Sequence, residues 1–302
     1  MEIRRIDLNG LKSDLPEKLL CTIGSFDGIH LGHMELFSIL NNEKKNKNNG
    51  YKTAVFTFDF HPDYSLNKRE NHGVIENLEM KKSVFKNSGI DIVYILDSNV
   101  LKLTYKDFHN LILSKYGVEL IVVGEDFKYG LNSEGNVDTL REQFEVKTIM
   151  IKDSSGTKLS SNSIRGYLEN GDVDLIKHVL GHNYFVEGTV VRGAGLGRQL
   201  GFPTANIEIA DNCYLMRSGV YSVRVKIDEK WYLGVTNVGK NPTVNTQTKP
   251  RIETFVLDFT GDLYGKIIKI EFVKFLRDEK KFNSINELKE MITKNIEEVR
   301  RG

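Results

Sequence analysis

One stretch restricts the fold more than any other: Thr22-Ile23-Gly24-Ser25-Phe26-Asp27-Gly28-Ile29-His30-Leu31-Gly32-His33. An apolar run, Leu19 to Ile23, precedes it, and Leu36, Phe37 and Leu40 follow at helical spacing. That order predicts a buried strand, a glycine turn and the start of a helix. A helix N-terminus presents about four N–H groups without intrahelical partners and roughly half a positive charge, which suits an anion. Gly24 and Gly28 let the backbone approach such an anion closely. His30 and His33 lie three apart and share a face if both fall in the first turn. Two imidazoles there can donate hydrogen bonds to phosphate oxygens. The plainer alternative is a sharp turn carrying two surface histidines. The strand before it, the G-x-F-D-G lead and the helix after it weigh against that alternative.

The chain has 302 residues, room for two domains of about 150 each. With 40% hydrophobic residues it can build real cores. A net charge of +1 argues against a general nucleic-acid binder or a polybasic membrane protein, and leaves room for a local phosphate pocket. The two cysteines, Cys21 and Cys213, suggest neither a metal cluster nor a disulfide framework, as expected in a reducing cytoplasm. Met1 to Gly10 is charged and does not read as a signal peptide. No apolar run approaches the ~20 residues of a membrane span.

Residues 1–183 alternate strand and helix patterns. Asn41 to Gly50 reads as a solvated loop. Thr53 to Phe58 is a strand closed by Asp59-Phe60-His61-Pro62, and Ile92 to Leu96 is another. Glu76 to Ser88 reads as a helix, as does Thr104 to Tyr116, capped by Thr104 and ended by Gly117. Leu120 to Val123 is a strand running into Gly124-Glu125-Asp126-Phe127-Lys128-Tyr129-Gly130, and Lys147 to Ile151 a fifth. The alternation predicts a parallel sheet covered on both faces, in a Rossmann-like α/β domain. Ligands of such sheets bind beyond the carboxyl ends of the strands, where Gly24–His33, Asp59–Pro62 and Gly124–Gly130 would meet. Taken alone, Asp126 and Phe127 read as a polar turn with a buried aromatic. Ser160 to Glu169 is a further helix. Arg165 near its first turn is disfavoured by the dipole, and a bound anion would explain it.

Residues 184–302 change pattern. Phe185–Val191, Gly219–Ile227, Lys230–Thr236, Ile252–Asp258 and Ile267–Phe275 are strand-like, which predicts a small antiparallel β-barrel. A C-terminal helix follows, with Ser284 and Glu287 as a capping box and a stripe of Leu288, Met291, Ile292 and Ile296 for the barrel. Gly193, Gly195, Gly197 and Gly201 with Arg198 make a flap able to wrap phosphates. Pro203-Thr204-Ala205-Asn206 offers a hydroxyl and an amide oxygen, hard ligands of the kind Mg²⁺ accepts. Glu253, if it points into the barrel, is a charge that needs a purpose, and a general base is one.

These residues together resemble the prokaryotic bifunctional riboflavin kinase/FMN adenylyltransferases, also called FAD synthetases. Thr22 to His33 is similar to the family's adenylyltransferase signature, Val123 to Gly130 to its aromatic loop and Leu159 to Arg165 to its S-S-T-x-I-R segment. Gly193 to Asn206 matches the kinase G-R-x-L-G-F-P-T-A-N signature. Gly219-Val220-Tyr221, Asn237-Val238-Gly239, Pro242-Thr243, Asp262 to Gly265 and Arg277 to Phe282 also fit. Phe60 stands where the family usually has Pro, and Asn162 replaces the Thr of S-S-T. The resemblance implies two reactions: riboflavin and ATP to FMN in the second half, then FMN and ATP to FAD and pyrophosphate in the first. It implies ATP contacts in the first half from Gly24, Ser25, Phe26, Asp27, Gly28, His30, His33, Ser161 and Arg165. Flavin contacts there fall to Asp59, His61, Asp126 and Phe127. In the second half it implies Glu253 as base, with ATP held by Gly193, Gly195, Gly197, Arg198, Pro203, Thr204 and Asn206. Thr204 and Asn206 would also take Mg²⁺, and Arg277, Glu279 and Phe282 would take the flavin. Small-molecule substrates, a cytoplasmic location and no nucleic-acid or membrane partner complete the expectation. An alternative keeps the kinase beside a weak adenylyltransferase half, and another is a flavin-binding regulator.

Overall fold

The computed structural model describes every residue except 7, 9–16, 48–49, 63–72, 153–155, 157–158, 194, 196, 198–199, 211–212 and 241–249. The chain divides into two compact units, Met1–Ser161 and Asn162–Gly302.

The first unit holds six parallel strands: β1 (Glu2–Ile6), β2 (Lys18–Ile23), β3 (Tyr51–Thr57), β4 (Ile92–Leu96), β5 (Val118–Gly124) and β6 (Glu145–Ile149). Their order is β1-β4-β3-β2-β5-β6. Side chains alternate across each strand. Leu19, Cys21 and Ile23 of β2 therefore join one apolar layer with Ala54, Phe56 and Tyr94. Leu20 joins the opposite layer with Val55, Val93, Phe37 and Phe85. The second layer is covered by α1 (Leu31–Asn46) and α2 (Leu78–Asn87), and the first by α3 (Tyr105–Phe108) with the turn that follows it. The chain lays β3 and β4 on one side of β2 and returns to place β5 on the other. That reversal opens a crevice at the carboxyl ends of β2 and β5.

Two local expectations need correction here, and two elements were not foreseen. Residues Asn41–Asn46 continue α1 rather than forming a loop, because Asn41 donates to the Ser88 carbonyl at 2.7 Å and Lys44 pairs with Asp91 at 2.6 Å. The helix expected over Thr104–Tyr116 is α-helical only to Phe108 and widens into a π turn over His109–Ser114. His109, Ile112 and Leu113 all face inward from that turn. The charged N-terminus supplies the edge strand β1, paired with β4. A short helix, α4 (Val137–Arg141), was also missing from the sequence pattern.

The second unit begins with α5 (Ser161–Asn170, its first residue belonging to the first unit) and α6 (Val173–Leu180), the latter ended by left-handed Gly181. Six antiparallel strands then close a barrel: β7 (Phe185–Val191), β8 (Thr204–Ile209), β9 (Gly219–Ile227), β10 (Lys230–Lys240), β11 (Pro250–Val256) and β12 (Ile267–Arg277). Val223, Val225 and Ile227 face the interior and Arg224 faces out, as the alternation predicts. Inside the barrel Thr236 and Thr254 are cross-strand partners whose hydroxyls bond each other. That pairing avoids a cost of about 1–3 kcal/mol for each buried group. The terminal helix α7 (Ile285–Arg301) lays Ile296 and Val299 on Val220, Val235 and Phe255 of the barrel's outer wall. Its cap differs from a full box. Ser284 accepts from the Glu287 N–H at 3.1 Å, but Glu287 reaches the Asn283 N–H instead of that of Ser284. Thr204 to Ile209 is a strand rather than part of a glycine-rich loop, since Ala205, Ile207 and Ile209 alternate into the core.

Candidate active site

In the first unit the crevice is built around the histidine pair. His30 caps α1: its Nδ1 accepts from the His33 N–H at 3.3 Å. His33 Nδ1 in turn accepts from the His30 N–H at 3.4 Å. The rings stack with centroids 3.7 Å apart and planes 13° apart. Because each Nδ1 accepts a backbone N–H, the ring proton sits on Nε2 in both, leaving Nε2–H as the donor. Burial pushes the His30 imidazole down to about 4. Burial, then His30 and Lys81, hold His33 well below its usual value. Both rings are therefore neutral donors near pH 7.

The glycine turn below them is held rigidly. Phe26 has left-handed backbone, φ 47°, a strained conformation for a bulky residue. Its ring is wedged against His33, Phe37 and Phe85 at centroid distances of 4.9, 5.6 and 5.8 Å. The Asp27 carboxylate turns inward, accepting from the Ile75 N–H at 2.7 Å, with His61 Nε2 at 3.9 Å from its other oxygen. Asp59 pairs with Arg5 at 2.7 Å. Beyond β5, Asp126 is exposed and the half-buried Phe127 stacks on Tyr129 at 5.4 Å. Tyr129 lies 2.5 Å from His109 Nε2 and 3.0 Å from Thr139 Oγ1. The three segments thus follow β2, β3 and β5, which are neighbours in the sheet. Ser161 opens α5, and Arg165 lies within the second unit, its guanidinium 5.5 Å over the Tyr214 ring.

The second unit carries a cavity of about 310 Å³ on the outer barrel wall under α7. Glu253 does not point into the barrel. Ile252, Thr254 and Val256 of β11 take the interior, so the alternation turns Arg251, Glu253 and Phe255 outward to line the cavity. The strand register then sets Asn206 on β8, Glu253 on β11 and Asn237 on β10 in one row, with Thr204 opposite Phe255 in the next. Gly193 and Gly197 are needed where they stand. A Cβ on Gly193 would meet Asn206 Nδ2 at 2.1 Å, and one on Gly197 would meet the Phe202 carbonyl at 2.5 Å and Thr204 Oγ1 at 2.9 Å. Gly195 also lines the cavity, and Pro203 lies directly before β8. Arg198, Pro242 and Thr243 lie outside the described residues. At the far end Arg277 sits 5.7 Å over the Phe282 ring and 3.4 Å from Asn295 Oδ1. Burial lowers its guanidinium from the usual range. Glu279 accepts from Asn237 Nδ2 at 3.1 Å.

Sequence reasoning missed Lys81, Glu76 and Arg251, and gave Asn237 no role. Lys81 had a signal: it falls on the stripe of Leu78 and Phe85, where an apolar residue belongs. Arg251 pairs with Glu253, two residues away on the same face of β11.

A doubly wound unit with an imidazole pair at its switch point, in one chain with a barrel carrying an acid, a hydroxyl and amides in one cavity, defines a two-site, nucleotide-using transferase. Residues 12–164 match the family model described as FAD synthetase, and residues 180–302 the one described as riboflavin kinase. The bifunctional riboflavin kinase/FMN adenylyltransferase of Bacillus subtilis is 35% identical over 290 residues, covering 93% of this chain and 91% of that protein. The Listeria monocytogenes protein of the same name is 32% identical, covering 92% and 90%. A crystal structure titled as a macrolide-efflux protein from Streptococcus pneumoniae is 28% identical, with TM-score 0.90 and 100% of both chains covered. The chain belongs to the family of bifunctional riboflavin kinase/FMN adenylyltransferases. Among the described residues no helix is long and apolar enough to cross a membrane.

Proposed function

We propose that the chain makes both flavin cofactors in sequence, with residues 184–302 as the kinase and residues 1–183 as the adenylyltransferase. Flavins and ATP are its substrates. In the kinase, Glu253 takes the proton from the terminal ribityl hydroxyl as that oxygen attacks the γ-phosphorus of ATP, and ADP departs. Asn206 and Asn237, which flank Glu253 in the register, hold the reacting groups beside it. Gly193, Gly195, Gly197, Arg198 and Pro203 wrap the nucleotide. Thr204 and Asn206 present neutral hard oxygens on one face, a donor set that would hold Mg²⁺, which would supply charge neutralisation there. Arg277, Glu279 and Phe282 receive the flavin ring.

In the adenylyltransferase the FMN phosphate is already anionic and attacks the α-phosphorus of ATP, expelling pyrophosphate. No strong base is required. The work is positioning and charge stabilisation, from the Nε2–H groups of His30 and His33 and the N–H groups of the turn after Gly24. Ser161 and Arg165 assist at the nucleotide, and Asp59, His61, Asp126 and Phe127 at the flavin. The neutral state of the histidines lets them donate without an added charge to desolvate. Both cysteines are free thiols, in keeping with a cytoplasmic enzyme.

The observation that carries this reading is the cross-strand row of Asn206, Glu253 and Asn237 inside one cavity. Incubation with riboflavin, ATP and Mg²⁺ tests it: FMN should appear first, then FAD with stoichiometric pyrophosphate. Failure to form FMN would refute it.

A further inference from the structure

We propose that Lys81 is a positioning residue for adenylyl transfer, fixing the direction of the Ser25–Phe26 peptide that the triphosphate meets. The inference rests on the adenylyltransferase reading above. Lys81 lies on α2 and is only 1% exposed. A buried ammonium is costly unless paired and hydrogen-bonded. Its Nζ donates to the Ser25 carbonyl at 2.7 Å and the Phe58 carbonyl at 3.3 Å. Those carbonyls follow the carboxyl ends of β2 and β3, the two strands that frame one side of the crevice. Thr57 Oγ1 donates to the same Ser25 oxygen at 3.1 Å.

The balancing charges are nearby carboxylates. Asp27 and Glu76 are each 1% exposed, and Asp59 lies nearby. Asp27 and Glu76 also accept backbone N–H groups, from Ile75 at 2.7 Å and from Ile29 at 2.8 Å. The buried charges thus tie the glycine turn to the segment before α2. A trans peptide points its carbonyl and the next N–H in opposite directions. With the Ser25 carbonyl held on Lys81, the Phe26 N–H is directed away from it. The same hold keeps Phe26 in its left-handed conformation, with its ring edge-on to His33.

The test compares Lys81→Met, Lys81→Gln and Lys81→Arg in the full chain, each assayed for FMN from riboflavin and for FAD from added FMN. Met keeps the stem and loses the donor, so kcat for FAD should fall about 100-fold, the scale of a 1 Å misplacement. FMN formation on the same chain should be unchanged. Gln and Arg can still donate to the Ser25 carbonyl and should recover much of the loss, a ranking that side-chain volume alone would not give. Circular dichroism and the histidine proton resonances report whether the first unit is folded. A folded Met variant with wild-type kcat for FAD overturns the proposal. So does a folded Gln variant no faster than His33→Ala, which decides the matter if Met does not fold. Wild-type protein that makes FMN but no FAD would instead overturn the adenylyltransferase reading.

Discussion

Asn206 and Glu253 are direct partners across β8 and β11, both on the outer wall of the barrel. Direct cross-strand partners have Cβ atoms about 4.5–5.5 Å apart, close enough for amide and carboxylate to act on one oxygen. Glu253→Gln keeps the shape and removes the proton acceptor. FMN formation should fall by about 100-fold or more, while FAD formation from added FMN persists. Separate steady-state assays of the two reactions check this.

The mirror-image result is expected at the histidine pair. His33→Ala deletes one preorganised donor and should slow FAD formation from FMN by about 100- to 1,000-fold, with the kinase intact. His30→Ala removes a donor and the α1 cap together, so it should also cost about 1 kcal/mol in stability. Thermal unfolding of the two variants separates the losses.

The His30 ring also makes stability depend on pH. It titrates near 6.5 when unfolded and at about 4 when folded. The unfolded chain therefore binds more protons between those values, and stability falls as pH falls through that window. The loss should be about 2 kcal/mol between pH 7 and 5, and about 3 kcal/mol once pH passes 4. His33, shifted the same way, adds to it. Urea unfolding of wild type against His30→Asn, which keeps a cap acceptor without titrating, should show a smaller pH dependence in the variant.

Gly193→Ala should act on the kinase without unfolding it. The new Cβ would lie 2.1 Å from Asn206 Nδ2 and force the amide aside. Displacement on that scale should lower kcat/KM for ATP by about 10- to 100-fold. The melting temperature should be unchanged, because Gly193 lies outside the barrel strands.

Much of the fold was legible because it follows from periodicity. Alternating Val223, Arg224 and Val225 fixed the face of β9, and Leu36, Phe37 and Leu40 placed α1 on its strand. What escaped depended on partners distant in sequence. Residues Asn41–Asn46 look like a loop until Ser88 and Asp91 hold them, and Glu2–Ile6 becomes a strand only beside β4. The site shows the same division. Glu253, Thr204 and Asn206 carried their chemistry in their identity, yet the direction of Glu253 required the burial of Ile252 and Thr254. Lys81 acts through two carbonyls 56 and 23 positions away, a relationship no local pattern encodes.

Every strand of the second unit is bonded on both sides, so the sheet forms an unbroken hoop. A hoop cannot gape without sacrificing a whole ladder of bonds. Whatever changes shape at its outer wall must then be something packed on that wall, and the terminal helix is one such piece. Its fit there can vary while the hoop beneath keeps its form.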